Sequence, residues 1–374
     1  MKKIVIWTLI LALLLTGCAP AEPARAQSEW VPERTMDLQY ATQFQVDYYS
    51  GGYKLISLAD GSKFLVVPEG CDVPENAPKD AVPLYQPIEN IYLAATSAMC
   101  LFDALGRLDA IALSGSRAES WYIESARKAM EAGDILYAGK YSEPDYEMLL
   151  SHGCPLAVES MMIGHASDVK QKLEELGIAV LTDQSSMEEH PLGRTEWMKL
   201  YAALLNEEER AEALFNEQTA YLDDALRGEP AQTTVAFFHI STSGYVVARK
   251  SGDYVTKMLE LAGGDYVFSD LGDRETKTST VNIEMEQFFA AAKDADCIIY
   301  NSTIGGEIHS LKELLEKSAL LAQFKAVQTG NVWCTQKNMY QETTQLGQMI
   351  QSFRKIFSGE ADGLKELPFL YRLE

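Results

Sequence analysis

The feature that most constrains this chain is a rhythm. From Ile91 onward, short apolar runs alternate with segments of helical periodicity, and the alternation breaks once. Ile91–Ala95, Ile111–Leu113, Ile135–Ala138, Leu156–Glu159 and Ile178–Thr182 have strand length and strand composition. Between them, Ser97–Leu105, Glu119–Ala132, Pro144–Ser151 and Asp168–Leu176 carry apolar residues at helical spacing. Such alternation builds an α/β layer, and Gly177 stands where the last of these helices needs a left-handed cap. Thr195–Leu205 and Asn206–Leu226 then both read as helices with no strand between them, with Asn206 and Glu209 as an N-cap and N3 pair. At 1.5 Å per residue the second would run about 30 Å, enough to join two lobes. Beyond Gly228-Glu229-Pro230 the rhythm resumes, with strands at Thr234–His239, Tyr245–Ala248, Tyr266–Phe268, Cys297–Asn301 and Val332–Thr335. Helical patterns lie at Tyr254–Ala262, Ile283–Ala292, Leu311–Leu315 and Thr343–Phe357.

The N-terminal end has a different grammar. Lys2 and Lys3 precede an apolar run, Ile4–Leu15, and then Leu15-Thr16-Gly17-Cys18, the layout of a secretory signal with a small-residue cleavage site before a cysteine. The run is shorter than the roughly 20 residues of a spanning helix. The mature chain is therefore expected to begin at Cys18, with Ala19–Ser28, rich in Ala, Pro and polar residues, as a flexible tether. Phe44–Tyr49, Lys54–Leu58 and Phe64–Val67 alternate in strand fashion around Gly51-Gly52 and Asp60-Gly61, the signals of an antiparallel β meander. The expected organisation is a signal peptide over 1–17, a lipidated cysteine and tether over 18–40, and an N-terminal α/β lobe with the meander over 41–193. Connecting helices follow over 194–229, and a C-terminal α/β lobe over 230–374. The fold class is α/β: two Rossmann-like lobes joined by a single long helix, with the meander added.

Composition sets limits on partners. With 47% hydrophobic and 23% charged residues the chain can build sizeable cores. A formal net charge of -22 repels phosphate backbones, so no nucleic acid is expected as a partner. Cys71, Cys100, Cys154, Cys297 and Cys334 are odd in number and widely spaced, which fits neither a zinc site nor a disulfide framework. Most read as small buried hydrophobes, and one disulfide stays open. His152, His165, His190, His239 and His309 are not spaced as a zinc site, so no bound metal and no cofactor are expected.

Several segments together resemble the class III, helix-hinged solute-binding proteins of ABC importers, in their lipoprotein form. Leu15-Thr16-Gly17-Cys18 is similar to the bacterial lipobox, whose cysteine is acylated, palmitate being a common chain. Ile91–Ser97 with Leu105-Gly106-Arg107-Leu108 resembles the family's opening strand, Thr-Ser, helix, Leu-Gly unit. Asp145–Leu150 followed by Pro155-Leu156-Ala157-Val158-Glu159 resembles a block that recurs as Glu286-Gln287-Phe288-Phe289 and Ala295-Asp296-Cys297-Ile298-Ile299. The junction His190–Trp197, Lys325-Ala326-Val327 and Gly330-Asn331-Val332-Trp333 are similar to Firmicute members. The departures are Pro155-Leu156 and Ala295-Asp296 where Pro-Asp is usual, and the meander. The resemblance implies a monomeric, extracytoplasmic lipoprotein held on the cell membrane by Cys18. It would capture an iron siderophore, haem or a corrinoid such as cobalamin between its lobes and deliver it to an ABC permease with its cytoplasmic ATPase. Glu147 and Glu286 resemble the family's paired permease-docking glutamates, with Glu284 as the alternative to Glu286; each also fits an ordinary helix N-terminal acid.

In α/β lobes ligands sit outside the carboxyl ends of strands. That rule selects Thr96, Ser97, Ser116, Trp121, Tyr122, Lys140, Tyr141, Met161 and Met162 in the first lobe. In the second it selects Tyr245, Arg249, Asn301, Ser302, Met339 and Tyr340. Tyr141, six residues before Glu147, falls where cobalamin carriers of the family place a stacking aromatic. Arg249 and Lys250 suit anionic chelate groups, or equally a solvated turn. Tyr141, Met161, Met162 and His165 are each candidates for an axial ligand to haem iron. Each aromatic also fits a core position.

Enzyme motifs are absent: no Gly-x-Ser-x-Gly, His-Glu-x-x-His, Walker loop or dinucleotide fingerprint occurs. The reading is not an enzyme. A non-transport sensing or adhesion lipoprotein on the same fold is the alternative, and a lipid-anchored hydrolase built on Ser116 is a more distant one.

Overall fold

A computed structural model describes residues 30–227, 231–272 and 279–374. The signal segment, Cys18 and Gly228-Glu229-Pro230 lie outside the described residues.

The first lobe is built on a five-stranded, all-parallel sheet in the order Ala179–Asp183, Leu156–Ser160, Ile91–Leu93, Ile111–Ser114, Leu136–Tyr137. Parallel strands need crossovers, and a sheet covered by helices on both faces is buried on both, which is why these strands read as continuous apolar runs. Alternate residues of the Leu156–Ser160 strand serve different cores: Leu156 and Val158 join the main core, whereas Ala157 joins a second one with Tyr92, Leu149, Ile163 and Val180.

The second lobe holds an eight-stranded mixed sheet. Thr233–Ile240, Cys297–Tyr300 and Val332–Thr335 form its parallel centre. Val246–Arg249 turns back antiparallel through Ser243-Gly244 and pairs with Thr280–Ile283. At the other edge the chain ends in the hairpin Glu366–Leu367 and Leu370–Arg372, which the sequence pattern does not announce.

The expected meander is present and larger than read. Arg34–Thr35, Phe44–Tyr48, Lys54–Leu58 and Lys63–Val67 are antiparallel in order, and Val82–Tyr85 adds a parallel edge. Pro83 is tolerated there because an edge strand can lack a donor. The tether expected to reach residue 40 is corrected at its end: Arg34–Thr35 is a paired strand, and Gln39 and Tyr40 donate backbone N–H groups to Glu196.

The junction comprises Pro191–Glu196, Met198–Leu205 and Glu208–Ala225. Every residue of Met198–Leu205 is buried, because the helix lies between the meander and the first lobe, with Phe44 edge-on to Trp197 at 5.2 Å. Asn206 is not the N-cap read from the sequence. Its φ of 59° makes it the left-handed C-cap of the preceding helix, and its Oδ1 accepts from Lys54 Nζ at 2.8 Å and Gln86 Nε2 at 3.0 Å.

Glu208–Ala225 passes from the first lobe to the second and packs against the terminal helix Leu346–Phe357. Gly347 makes the contact close, since a Cβ there would stand 2.1 Å from the Gln218 carbonyl oxygen. Gly347→Ala is therefore expected to cost about 2 kcal/mol despite its better helix propensity, because backbone has to move. A urea midpoint lowered with an unchanged m value checks this.

Candidate functional site

The carboxyl ends of the parallel strands in the two sheets place the candidate residues. Loops that follow the strand ends carry the candidates: Thr96 after Leu93, Ser116 after Ser114, Met161 and Met162 after Ser160, Tyr245 beyond Ile240, and Asn301 after Tyr300. Thr96, Tyr122, Lys140, Met161, Met162 and Tyr245 are exposed, and Ser97, Ser116 and Tyr141 are half-buried.

Tyr141 lies at the tip of a small hairpin, Gly139–Lys140 paired with Glu143–Pro144. The hairpin depends on Gly139, whose φ is 82° and whose Cβ would stand 2.3 Å from the Glu143 carbonyl oxygen. Lys140 Nζ lies 3.8 Å from Glu143. Tyr141 packs against the second core and is half-buried.

Other candidates are removed from the cleft surface. Trp121 is 1% and Met339 1% exposed, both inside the main core, where their size is used for packing. Asn301 and Ser302 are buried beneath the strand ends, with Ser302 Oγ donating to the Thr335 carbonyl. Arg249 is not a free cation: it pairs with Asp253 at 3.4 Å and donates to the Tyr340 hydroxyl, which occupies Tyr340 as well. Burial opposes the charge of Arg249, but the neighbouring Tyr340 and Asp253 outweigh it and leave its pKa raised. Lys250 is buried.

Three residues that the sequence reading passed over join the strand ends. Ile304 and Met187 are exposed, in short turns after Tyr300 and Asp183, and Gln341 reaches the first lobe. An isolated apolar residue in a polar turn was the available signal for the first two.

No group of three or more His, Cys, Asp or Glu suited to a metal exists among the described residues. His190 caps Pro191–Glu196 and stacks on Tyr40, and burial together with Lys257 pulls its pKa down to about 4. Among the described residues the five cysteines are free; Cys71 is exposed and the others are buried. No described helix is long and apolar enough to cross a membrane.

Glu147 and Glu286 occupy equivalent places. Each is the second residue after the N-cap of a short helix, behind Asp145 and Glu284 respectively, and both are exposed. Glu284, as the cap residue, has no counterpart to Glu147 in the first lobe other than Asp145.

Residues 118–339, more than half of the chain, match the sequence model of the periplasmic binding protein family. The chain belongs to that family. It is 25% identical over 335 residues to the uncharacterized lipoprotein MJ0878 of Methanocaldococcus jannaschii, covering 82% of this chain and 78% of the relative. Among solved structures, a periplasmic binding protein from Veillonella parvula superimposes with a TM-score of 0.60 at 16% identity, over 85% of this chain and 98% of that one. The periplasmic heme binding protein HutB of Vibrio cholerae does so with a TM-score of 0.57 at 17% identity, over 70% and 97%. These likenesses share the two-lobed α/β fold, and the family expectation from the sequence is met in the class III, helix-hinged form. The helix-hinged architecture of this binding protein is thus established.

Proposed function

We propose that this binding protein is an extracytoplasmic lipoprotein, anchored through Cys18, that captures a metal chelate or corrinoid in the inter-lobe cleft and delivers it to an ABC permease. The observation that carries the reading is the set of exposed apolar side chains in the segments that follow strand ends: Tyr122, Met161 and Met162 from one lobe, Tyr245 and Ile304 from the other. Large apolar groups left in water after strand ends of both lobes suit a flat, largely apolar ligand held between them. Tyr141 supplies an aromatic face beside them. The HutB likeness fits haem as one such cargo. Glu147 and Glu286, equivalent in position and one per lobe, are the proposed docking charges, and the shared N2 position favours Glu286 over Glu284.

The test is titration of the mature protein with cobalamin, haemin and ferric siderophores, following tryptophan fluorescence and the visible band of the ligand. Saturable binding to one class supports the reading, and silence across the panel from folded protein favours the sensing or adhesion alternative. Tyr141→Ala is expected to weaken the bound class by about 0.5 to 1.5 kcal/mol, the worth of a stacked ring. Glu147→Lys with Glu286→Lys is expected to abolish cellular uptake while leaving affinity unchanged, and a matching loss of affinity would sink the docking roles.

A further inference from the structure

Residues 338–345 leave the second lobe at the end of the Val332–Thr335 strand and lie against the first. At their centre the Gln341 carboxamide makes a paired contact across the cleft: Tyr122 N–H donates to Oε1 at 2.8 Å, and Nε2 donates to the Ser120 carbonyl at 2.8 Å. The side-chain amide thus meets the main chain as a peptide group meets its partner in a sheet, satisfying one donor and one acceptor together.

Both halves of this contact are mounted on buried anchors. Ser120 and Tyr122 flank Trp121, and Gln341 follows Met339 and the Arg249-bound Tyr340. Further along, the Thr343 carbonyl accepts from Thr195 Oγ1 at 2.7 Å, and the backbone N–H groups of Thr343 and Thr344 face the Cys100 thiol. The anchors Trp121, Met339, Thr343 and Thr344 are buried. The Gln341 contact, half exposed to water, is the weakest part of the crossing and the part nearest the strand ends.

We propose that Gln341 is a latch: a breakable crossing beside the fixed contacts made by the long helix and by Thr343 and Thr344, which sets the width of the cleft and releases when cargo enters or leaves. The latch concerns the lobes themselves and holds whatever the cargo is. Two neutral hydrogen bonds at a half-exposed site shift a two-state balance by about tenfold or somewhat more. Gln341→Glu is diagnostic. Its carboxylate still accepts from Tyr122 N–H but repels the Ser120 carbonyl, whereas the protonated acid can donate to it.

The experiment measures inter-lobe distance by electron–electron double resonance in the full mature chain in detergent. One spin label is placed on the native exposed Cys71 and one on Lys312→Cys, whose side chain is 85% exposed. The wild type is expected to give one dominant distance at both pH 7 and pH 4. Gln341→Ala is expected to raise a second, longer-distance population about tenfold at either pH. Gln341→Glu is expected to show that population at pH 7 and to return to the wild-type distance at pH 4. Distributions in both variants that match the wild type at pH 7 would overturn the latch, as would a longer distance in Gln341→Glu that persists at pH 4. None of these readings requires a cargo, so they stand apart from the titration that tests the transport role.

Discussion

Glu196→Ala is expected to destabilise the protein by about 3 to 5 kcal/mol and to free the N-terminal segment from the junction. The Glu196 carboxylate is fully buried and accepts from the backbone N–H groups of Gln39, Tyr40 and Ala41 at 2.8 to 3.1 Å. Eight residues earlier, Glu188 accepts from Thr42 N at 2.8 Å, Gln43 N at 3.1 Å and Trp197 Nε1 at 2.9 Å. Five consecutive backbone donors, from Gln39 to Gln43, are thereby satisfied by two side chains, Glu196 in the junction and Glu188 just before it. Removing Glu196 orphans three of them, each costing on the order of 1 kcal/mol or more. It also strips Lys199, 4% exposed, of its 3.1 Å partner, leaving Glu212 at 2.9 Å to hold the ammonium. Glu196→Gln is the milder probe, since it keeps one acceptor and loses the charge. Hydrogen exchange read peptide by peptide should show protection lost over residues 34–48 before the lobe sheets respond. Uniform loss across the chain, or none, would mean that the sheet is held by its apolar face alone.

That pair of glutamates shows where sequence reading stops. The parallel strands were legible because burial on two faces demands unbroken apolar runs, and Leu156–Ser160 or Cys297–Tyr300 can be little else. The meander was legible from its turns, but Arg34–Thr35 is too short and too polar for a pattern and Val82–Tyr85 is short and carries Pro83; pairing with a neighbour defines them. Asn206 carries the composition of an N-cap and serves as a C-cap, since both roles suit a short amide and tertiary contacts with Lys54 and Gln86 decide. The strand-end rule located Tyr122, Met161, Met162 and Tyr245 on accessible surface. It failed for Trp121, Met339 and Arg249, because a loop position does not say which way a side chain turns. Glu188, Glu196 and Gln341 act on residues more than 140 positions away, a relation that no local window contains.

Glu159 carries the second large effect, and it depends on pH. The residue follows Ala157 on the face of the Leu156–Ser160 strand that looks into the second core, is 0% exposed, and has no hydrogen-bond partner on either carboxylate oxygen. Its charged neighbourhood offers no relief. Tyr92 and Tyr146 both feel it, from the adjoining strand and helix, and Tyr146 also feels Asp168. Burial alone pushes the carboxyl from an ordinary 4.5 up to about 8. An acid whose pKa is raised on folding favours the protonated, folded state, so its contribution is neutral below about 4.5. The penalty grows as the unfolded chain ionises and the folded one does not, and levels off above about 8, where both are charged. Across that window the wild type should lose about 3 to 5 kcal/mol relative to Glu159→Gln. The two proteins should unfold in urea at similar midpoints at pH 4.5 and diverge steadily to pH 9, with the variant the more stable. Because the amide has the shape of the acid without its charge, packing is unchanged and the divergence isolates ionisation. Parallel pH profiles would mean that Glu159 is solvated or paired in solution. A loss confined to the wild type places a proton-sensitive group at the end of the strand that leads into Met161 and Met162, so that alkaline conditions would loosen the same part of the lobe that the cargo is proposed to meet.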